Sequence, residues 1–276
     1  MNVLSLFDGM SCANIALERS GIAVDNYFAS EINKHSIMVT NLNYPNTRQV
    51  GDVFTLDVES LPNIDILVGG SPCQGFSFSG KMKGALTTCD VDIVTIEQYL
   101  KLKEDGFSFS GQSFLFWEYI RILVELKKTN PNILFLLENV RMKDKWRKII
   151  TEAIGFDCVE INSKLVSAQS RNRLYWSNIQ FDIPEDKKIV LQDILIHGKA
   201  HRAKSKTVRV GGRGSNDRHE WDIADDSGRR YSLVELERLQ TIPDNYTSCV
   251  CDTQRHKMIG NAFTVDVVAH ILEGIR

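Results

Sequence analysis

Apolar, β-branched runs of strand length alternate with stretches of helical spacing through the first two thirds of the chain, the pattern of an open α/β sheet. NVLSLF, 2–7, reads as a first strand, followed by the glycine turn FDGMS and a helix, ANIALERSG, that stops at Gly21. VDNYFAS predicts a second strand with Glu31 just beyond it, and NKHSIMVTNLNYP a second helix stopped near Pro45. Gln49 and Val50 lead to GDVFTLD, which places Asp52 beyond another short strand. IDILV, 64–68, has the length and character of a buried strand, and NILFLLENV is another, ending at Glu138 and Asn139. Between them lies a strongly apolar helix over 113–128, broken by Pro131. KWRKIITEAIG predicts a helix closed by Gly155, and CVEINSKLV leads into SAQSRNRLYWSN.

The pattern fails in two places. Between 80 and 112 the chain turns polar and irregular, apart from one amphipathic helix in DIVTIEQYLKLKEDG. From about 180 to 228 it is polar, basic and glycine-containing, with VLQDIL as its one short helical piece. Regular patterning returns with SLVELERLQTIP, where Ser232 and Glu235 form a capping box. HKMIGNAFTVDVVAHILEGI sets Gly260, Asn261 and Ala262 before a last helix. The expected division is therefore 1–179 for the main domain with a helical insert at about 81–112, 180–228 for a smaller domain, and 229–276 for a return to the first.

Composition narrows this little. With 276 residues, 43% of them hydrophobic and 25% charged, the chain is of ordinary globular type. No apolar run has membrane-spanning length, and Met1 leads at once into a strand, so an intracellular, cytoplasmic location without membrane contact is expected. The six scattered cysteines suit reduced thiols. Cys249, Cys251 and His256 lack a second ligand pair of zinc-site spacing, so no metal is expected. Net charge is −2, yet 199–218 holds seven Lys or Arg against one acid, Asp217. Such a loop suits phosphate contact, and equally a solvated surface.

The candidate chemistry gathers at predicted strand ends. In GGSPCQGFS, two glycines and Pro72 present Cys73 beyond a buried strand, where open sheets bind ligands. A thiol there is either a nucleophile or a structural residue of a tight turn. Strand, glycine turn, helix and strand with a terminal acid make a mononucleotide-binding half, and Glu31 lies 22 residues after Gly9, about right for gripping ribose hydroxyls. FDGMS is not GxGxxG, so a nucleoside cofactor without a pyrophosphate fits better. Asp52 can accept from an adenine amino group, cap a helix, or do both. Glu138 ends a buried strand, where an unpartnered charge would be costly. Gln169, Arg171 and Arg173 alternate; on one extended face they suit a phosphate or a carbonyl gathering charge, or simply a solvated face.

Taken in order, FDGMS, the Glu after the second strand, GDV, GGSPCQGFS, ENV, QSRNR, ELERLQTIPDNY and IGNAF closely resemble the cytosine-5 DNA methyltransferases, over nearly the whole chain. The resemblance implies a Rossmann-like class I methyltransferase fold with a small, mostly irregular target recognition domain, S-adenosylmethionine as cofactor, duplex DNA as partner and no metal. It assigns Cys73 as nucleophile, with Pro72, Glu138, Arg171 and Arg173 around it. Phe7, Asp8, Gly9, Met10, Glu31, Ile32, Asp52, Val53, Asn261 and Ala262 would meet the cofactor. Gln74, Ser77, Gln169, Arg209 and Arg213 would meet DNA, with Arg213 where the short recognition loop of the de novo type carries a base-reading arginine. The tRNA-acting branch shares the cysteine loop but typically carries a Cys-Phe-Thr motif, which this chain lacks. A catalytically silent DNA-binding module is disfavoured by the intact Cys73, Glu138 and Arg171. Nothing in the sequence distinguishes a monomer from a homo-oligomer, and nothing indicates whether a cognate restriction enzyme accompanies the chain.

Overall fold

A computed structural model describes residues 1–73, 75–76, 85–87, 92–210 and 225–275. The chain runs β1 (Asn2–Leu6), α1 (Cys12–Arg19), β2 (Asn26–Ser30), α2 (Lys34–Asn43), β3 (Arg48–Gln49) and β4 (Ile66–Gly69). It continues through β5 (Leu86–Thr87), α3 (Ile96–Glu104), β6 (Phe109–Ser110), α4 (Phe116–Thr129), β7 (Leu134–Val140), α5 (Asp144–Ile154), β8 (Cys158–Asn162) and β9 (Asn172–Ser177). One helical turn, α6 (Leu191–Ile194), precedes α7 (Leu233–Leu239), α8 (Asp252–Asn261) and α9 (Val265–Leu272).

Seven strands form one sheet in the order β3-β2-β1-β4-β7-β9-β8. β1 pairs in parallel with both β2 and β4, so the winding reverses there, and a crevice opens beyond the strands' carboxyl ends. β9 runs antiparallel to both its neighbours. Strand alternation divides the apolar side chains between two faces. Val3, Ile66, Val68, Leu136 and Tyr175 pack with α1, α7 and α9. Leu4, Leu67, Phe135, Leu137 and Trp176 pack with α4 and α5.

The punctuation behaves as its chemistry dictates. Asn33 caps α2 by accepting from His35 and Ser36, Ser232 and Glu235 complete the capping box of α7, and Gly155 closes α5 at φ 80°. Two differences from the expected elements stand out. The insert contains, besides its helix, the antiparallel pair β5–β6, each strand two residues long and below the reach of any pattern. Gly260 and Asn261 end a helix, α8, rather than only preceding α9; α8 hides in the sequence because its buried positions include Arg255. By length and composition 252–275 could span a membrane, but it is split into α8 and α9, and more than half of its most apolar 18-residue stretch is buried within the protein. Among the described residues of 180–228, Leu191, Ile194 and Val208 enter the core shared with α7 and α9.

Candidate active site

The turn after β1 is built from left-handed backbone, with Phe7 at φ 56°, Gly9 at 60° and Ser11 at 59°. Buried Asp8 fixes it: Tyr27 donates to its Oδ1 at 2.6 Å and Ser11 to its Oδ2 at 2.5 Å. Burial pushes the Asp8 carboxyl up to about 6, against the pull of those hydroxyls and with a smaller push from Glu31. At the end of β2, Glu31 accepts the Gly9 N–H on Oε2 at 2.8 Å, and those of Ile32 and Asn33 on Oε1 at 2.8 and 2.7 Å. One carboxylate thus ties the glycine turn to the start of the next helix while remaining half-buried on the crevice. Gly9 has no atom within 4 Å of where a side chain would begin, which leaves room above the turn. Exposed Asp52 caps a short turn by accepting the Phe54 N–H at 2.9 Å, and Val53 packs beneath it.

Cys73 stands past β4 at the other end of the crevice, half-buried. Its loop is pinned from β7: Asn139 Nδ2 donates to the Ser71 carbonyl at 3.2 Å and to Ser71 Oγ at 3.0 Å. Farther along, Gly75 donates to Ser113 Oγ at 2.7 Å, and Phe76 packs on Trp146 of α5 with ring centroids 5.8 Å apart. Glu138, one residue before Asn139, pairs with Arg173 of β9 at 2.9 Å. Arg171 is buried and held by three carbonyls, donating to Val208 at 2.9 Å, Ala262 at 2.8 Å and Gly260 at 3.3 Å. Its Nε is buried with no hydrogen-bond partner among the described residues. Burial, and then the charge of Arg173, lower the Arg171 guanidinium to about 9, so it stays charged at neutral pH. Burial raises the Cys73 thiol; Glu138 adds to that, and Arg173 and Arg171 oppose it. A thiol whose ionisation depends on which charge is neutralised nearby can be switched on by a ligand that engages the carboxylate. The two ends belong to one crevice of about 1090 Å³.

The family model for C-5 cytosine-specific DNA methylase matches residues 1–175 and 143–276, which together span the chain. The chain belongs to that family. A curated methylase of Neisseria lactamica, Type II methyltransferase M.NlaX, is 26% identical over 99% of this chain and 96% of its own length. Orphan methyltransferase M.SPRI of Bacillus phage SPR is 30% identical over 72% of this chain. The chain spans less than half the length of the two Bacillus phage relatives, 43% of M.SPRI and 42% of M.Rho11sI. Among solved structures, a Spodoptera frugiperda DNMT2 variant superposes with a TM-score of 0.67 at 17% identity, covering 99% of both chains. Entamoeba histolytica EhMeth gives 0.67 at 14%, over 100% of this chain and 97% of its own. These likenesses, with the seven-stranded sheet, show the Rossmann-like methyltransferase fold.

The crevice brings together Phe7, Asp8, Gly9, Met10, Glu31, Ile32, Asp52, Val53, Pro72, Cys73, Glu138, Arg171, Arg173, Arg209, Asn261 and Ala262 from the sequence-derived set. Ile32 is 68% exposed there, an apolar side chain presented to the opening. Gln169 is the exception and corrects the expectation of a DNA contact. It precedes β9 instead of alternating along it, is fully buried, and has its amide spent: Nε2 donates to Leu239 O and Gln240 Oε1 at 3.0 and 3.1 Å, and Oε1 accepts Val208 N–H at 2.7 Å. It ties Val208 to the end of α7. Gln74, Ser77 and Arg213 lie outside the described residues. Sequence reasoning missed three residues that shape the site. Asn139 was visible in ENV, but its grip on Ser71 is tertiary. Arg141 and Lys257, both exposed, line the crevice from beyond β7 and from α8. Arg141 stands three residues after Glu138, a signal that was available; Lys257 sits on the helix the pattern concealed.

Proposed function

We propose that this chain transfers a methyl group from S-adenosylmethionine to carbon 5 of a cytosine turned out of duplex DNA, with 180–228 as its recognition segment. The observation that carries this reading is the meeting of Cys73, Glu138, Arg171 and Arg173 at one end of a crevice whose other end holds Glu31 and Asp52. The residues present suit the cofactor. Glu31 keeps one lone-pair site, on Oε2, beyond its three backbone partners for a ribose hydroxyl, Ile32 offers an apolar surface to an adenine, and the space above Gly9 is open. When bound, S-adenosylmethionine supplies an electrophilic methyl group on a sulfonium.

The chain's own residues do the rest. Carbon 5 of cytosine is a poor nucleophile until a thiolate adds at carbon 6, splitting one hard step into easier ones. Cys73, on its pinned loop, makes that bond. Glu138 holds N3 and the exocyclic amine, so the charge arriving with the thiolate is offset on the ring. Arg171, with its unpartnered Nε, and Arg173 brace the O2 side. Once carbon 5 carries the methyl group, loss of its proton expels the Cys73 thiolate and restores the aromatic ring. Extruding the base costs a few kcal/mol, and the basic residues around the opening, Arg141, Arg209 and Lys257, suit the flanking phosphates.

The test is tritium transfer from labelled S-adenosylmethionine to duplex DNA, with tRNA as the parallel substrate, followed by bisulfite sequencing of the product. Transfer to DNA, its loss in Cys73→Ser and covalent trapping by 5-fluorocytosine duplexes are expected. Transfer to tRNA alone overturns the substrate, and full activity in Cys73→Ser overturns the mechanism.

A further inference from the structure

The insert between the Cys73 loop and α4 carries a device that reaches the opposite end of the crevice. Glu118 of α4 is wholly buried, and three groups converge on it: the Tyr99 hydroxyl and the Lys103 ammonium, at 2.5 Å, from insert helix α3, and Arg121 Nε at 2.6 Å. A buried carboxylate needs such partners, yet neither cation stops there. Lys103 also donates to the Phe54 carbonyl at 2.8 Å and lies 4.0 Å over the centre of the Phe54 ring. Arg121 Nη2 donates to the carbonyls of Val53 and Leu56 at 3.2 and 3.1 Å. Three carbonyls of the 53–56 segment, which belongs to no strand, therefore rest on two cations that meet on Glu118, Arg121 pairing also with Glu125 at 2.8 Å. Rings continue the contact: Phe54 meets Phe114 edge-on at 6.4 Å, Phe114 stacks on Phe109 of β6 at 4.5 Å, and Phe109 meets Tyr99 at 5.2 Å. The other side of this turn presents Asp52 and Val53 to the crevice.

We propose that Lys103 is a positioning residue for the nucleoside wall, and that the insert braces cofactor binding from behind. Lys103 and α3 do not line the crevice; they act through Phe54. The inference rests on the function proposed above, because it takes the Asp52–Val53 side as the place where the adenosyl group lies. Lys103→Met keeps the aliphatic stem and leaves Glu118 paired with Arg121, so the fold survives while the Phe54 carbonyl loses its donor.

The experiment titrates S-adenosylhomocysteine into wild type, Lys103→Met and Lys103→Arg by calorimetry. It also follows amide exchange of 50–57 and 96–104 in the wild type with and without that ligand. Expected are a dissociation constant about tenfold higher in Lys103→Met, the size of one lost charged hydrogen bond, and recovery of most of it in Lys103→Arg. In single-turnover methyl transfer at saturating cofactor, the Lys103→Met rate stays within about twofold of wild type. In the wild type, ligand should slow exchange in α3 as well as in 50–57. Equal affinity in wild type and Lys103→Met, or protection confined to 50–57, overturns the brace. Failure of wild type to bind S-adenosylhomocysteine at all overturns the cofactor assignment instead, so the two failures are distinguishable. Should Lys103→Met not fold, the wild-type exchange measurement decides alone.

Discussion

The two ends of the crevice are held in opposite ways. At the end near β1 and β2, Glu31 is fixed by three backbone N–H groups and Asp8 by two hydroxyls, so neutral donors hold the carboxylates before any ligand arrives. At the end near β4 and β7, Glu138 is paired with Arg173, and the charge on Cys73 depends on that pair and on Arg171. In the function proposed above, the first acts as a preformed receptor, and the second is an ion pair that a substrate enters and rearranges. Binding energy at the first end should therefore appear as affinity. At the second it should appear as rate, because the arrangement is completed only as charge develops.

The largest test of this contrast is Glu138→Gln. It should lower single-turnover methyl transfer by about a thousandfold and leave S-adenosylhomocysteine affinity within about twofold, as expected for a group acting in the transition state. Glu31→Ala should do the reverse, raising the S-adenosylhomocysteine dissociation constant by about a hundredfold while the rate at saturating cofactor falls far less. If both variants lose affinity and rate alike, the two ends are one unit and the contrast fails.

Two pH measurements sharpen it. The Asp8 carboxyl titrates near 6 when folded against an ordinary 3.8, so between those values the folded state keeps a proton that the unfolded chain has lost. Stability should therefore fall as pH rises from about 4 to about 6 and level off above, a change on the order of 3 kcal/mol. Asp8→Asn should flatten that slope in urea melts across the range. The smallest effect concerns Cys73, whose thiol is raised by burial and by Glu138. Its alkylation, followed on the isolated peptide by mass spectrometry, should accelerate with pH through and above neutrality. In Glu138→Gln the curve should move to lower pH, about threefold faster at pH 8 by the usual dependence on thiolate fraction. A shift to higher pH would mean that Arg173, not Glu138, governs the thiol.

Legibility divides along the same line. The end near β1 and β2 is local: a glycine turn, an acid at a strand end and a capping aspartate each show in a short window, Glu31 from its distance to Gly9 and Asp52 from its place beyond a predicted strand, where a cap and an adenine contact were both open. Elements with uninterrupted apolar runs, such as β4 and β7, were equally plain. What escaped is tertiary. Gln169 alternates with Arg171 and Arg173 on paper, but the strand begins at Asn172, and the amide turns inward to satisfy α7. α8 escaped because its packing face buries Arg255 against Glu237 at 3.1 Å, so no apolar stripe marks it. Nothing in the pattern marks Lys103, since a contact with Phe54, 49 residues earlier, leaves no periodic trace.

The grip of Asn139 on Ser71 has a mechanical meaning. Glu138 and Asn139 are joined by a single peptide unit, so the carboxylate and the anchor of the thiol loop share one rigid mount. A shift of β7 therefore carries Glu138 and the Ser71 end of the Cys73 loop together. In the function proposed above, such common-mode motion would keep the thiol and the carboxylate in tune for one six-membered ring while a bulky nucleic acid is admitted.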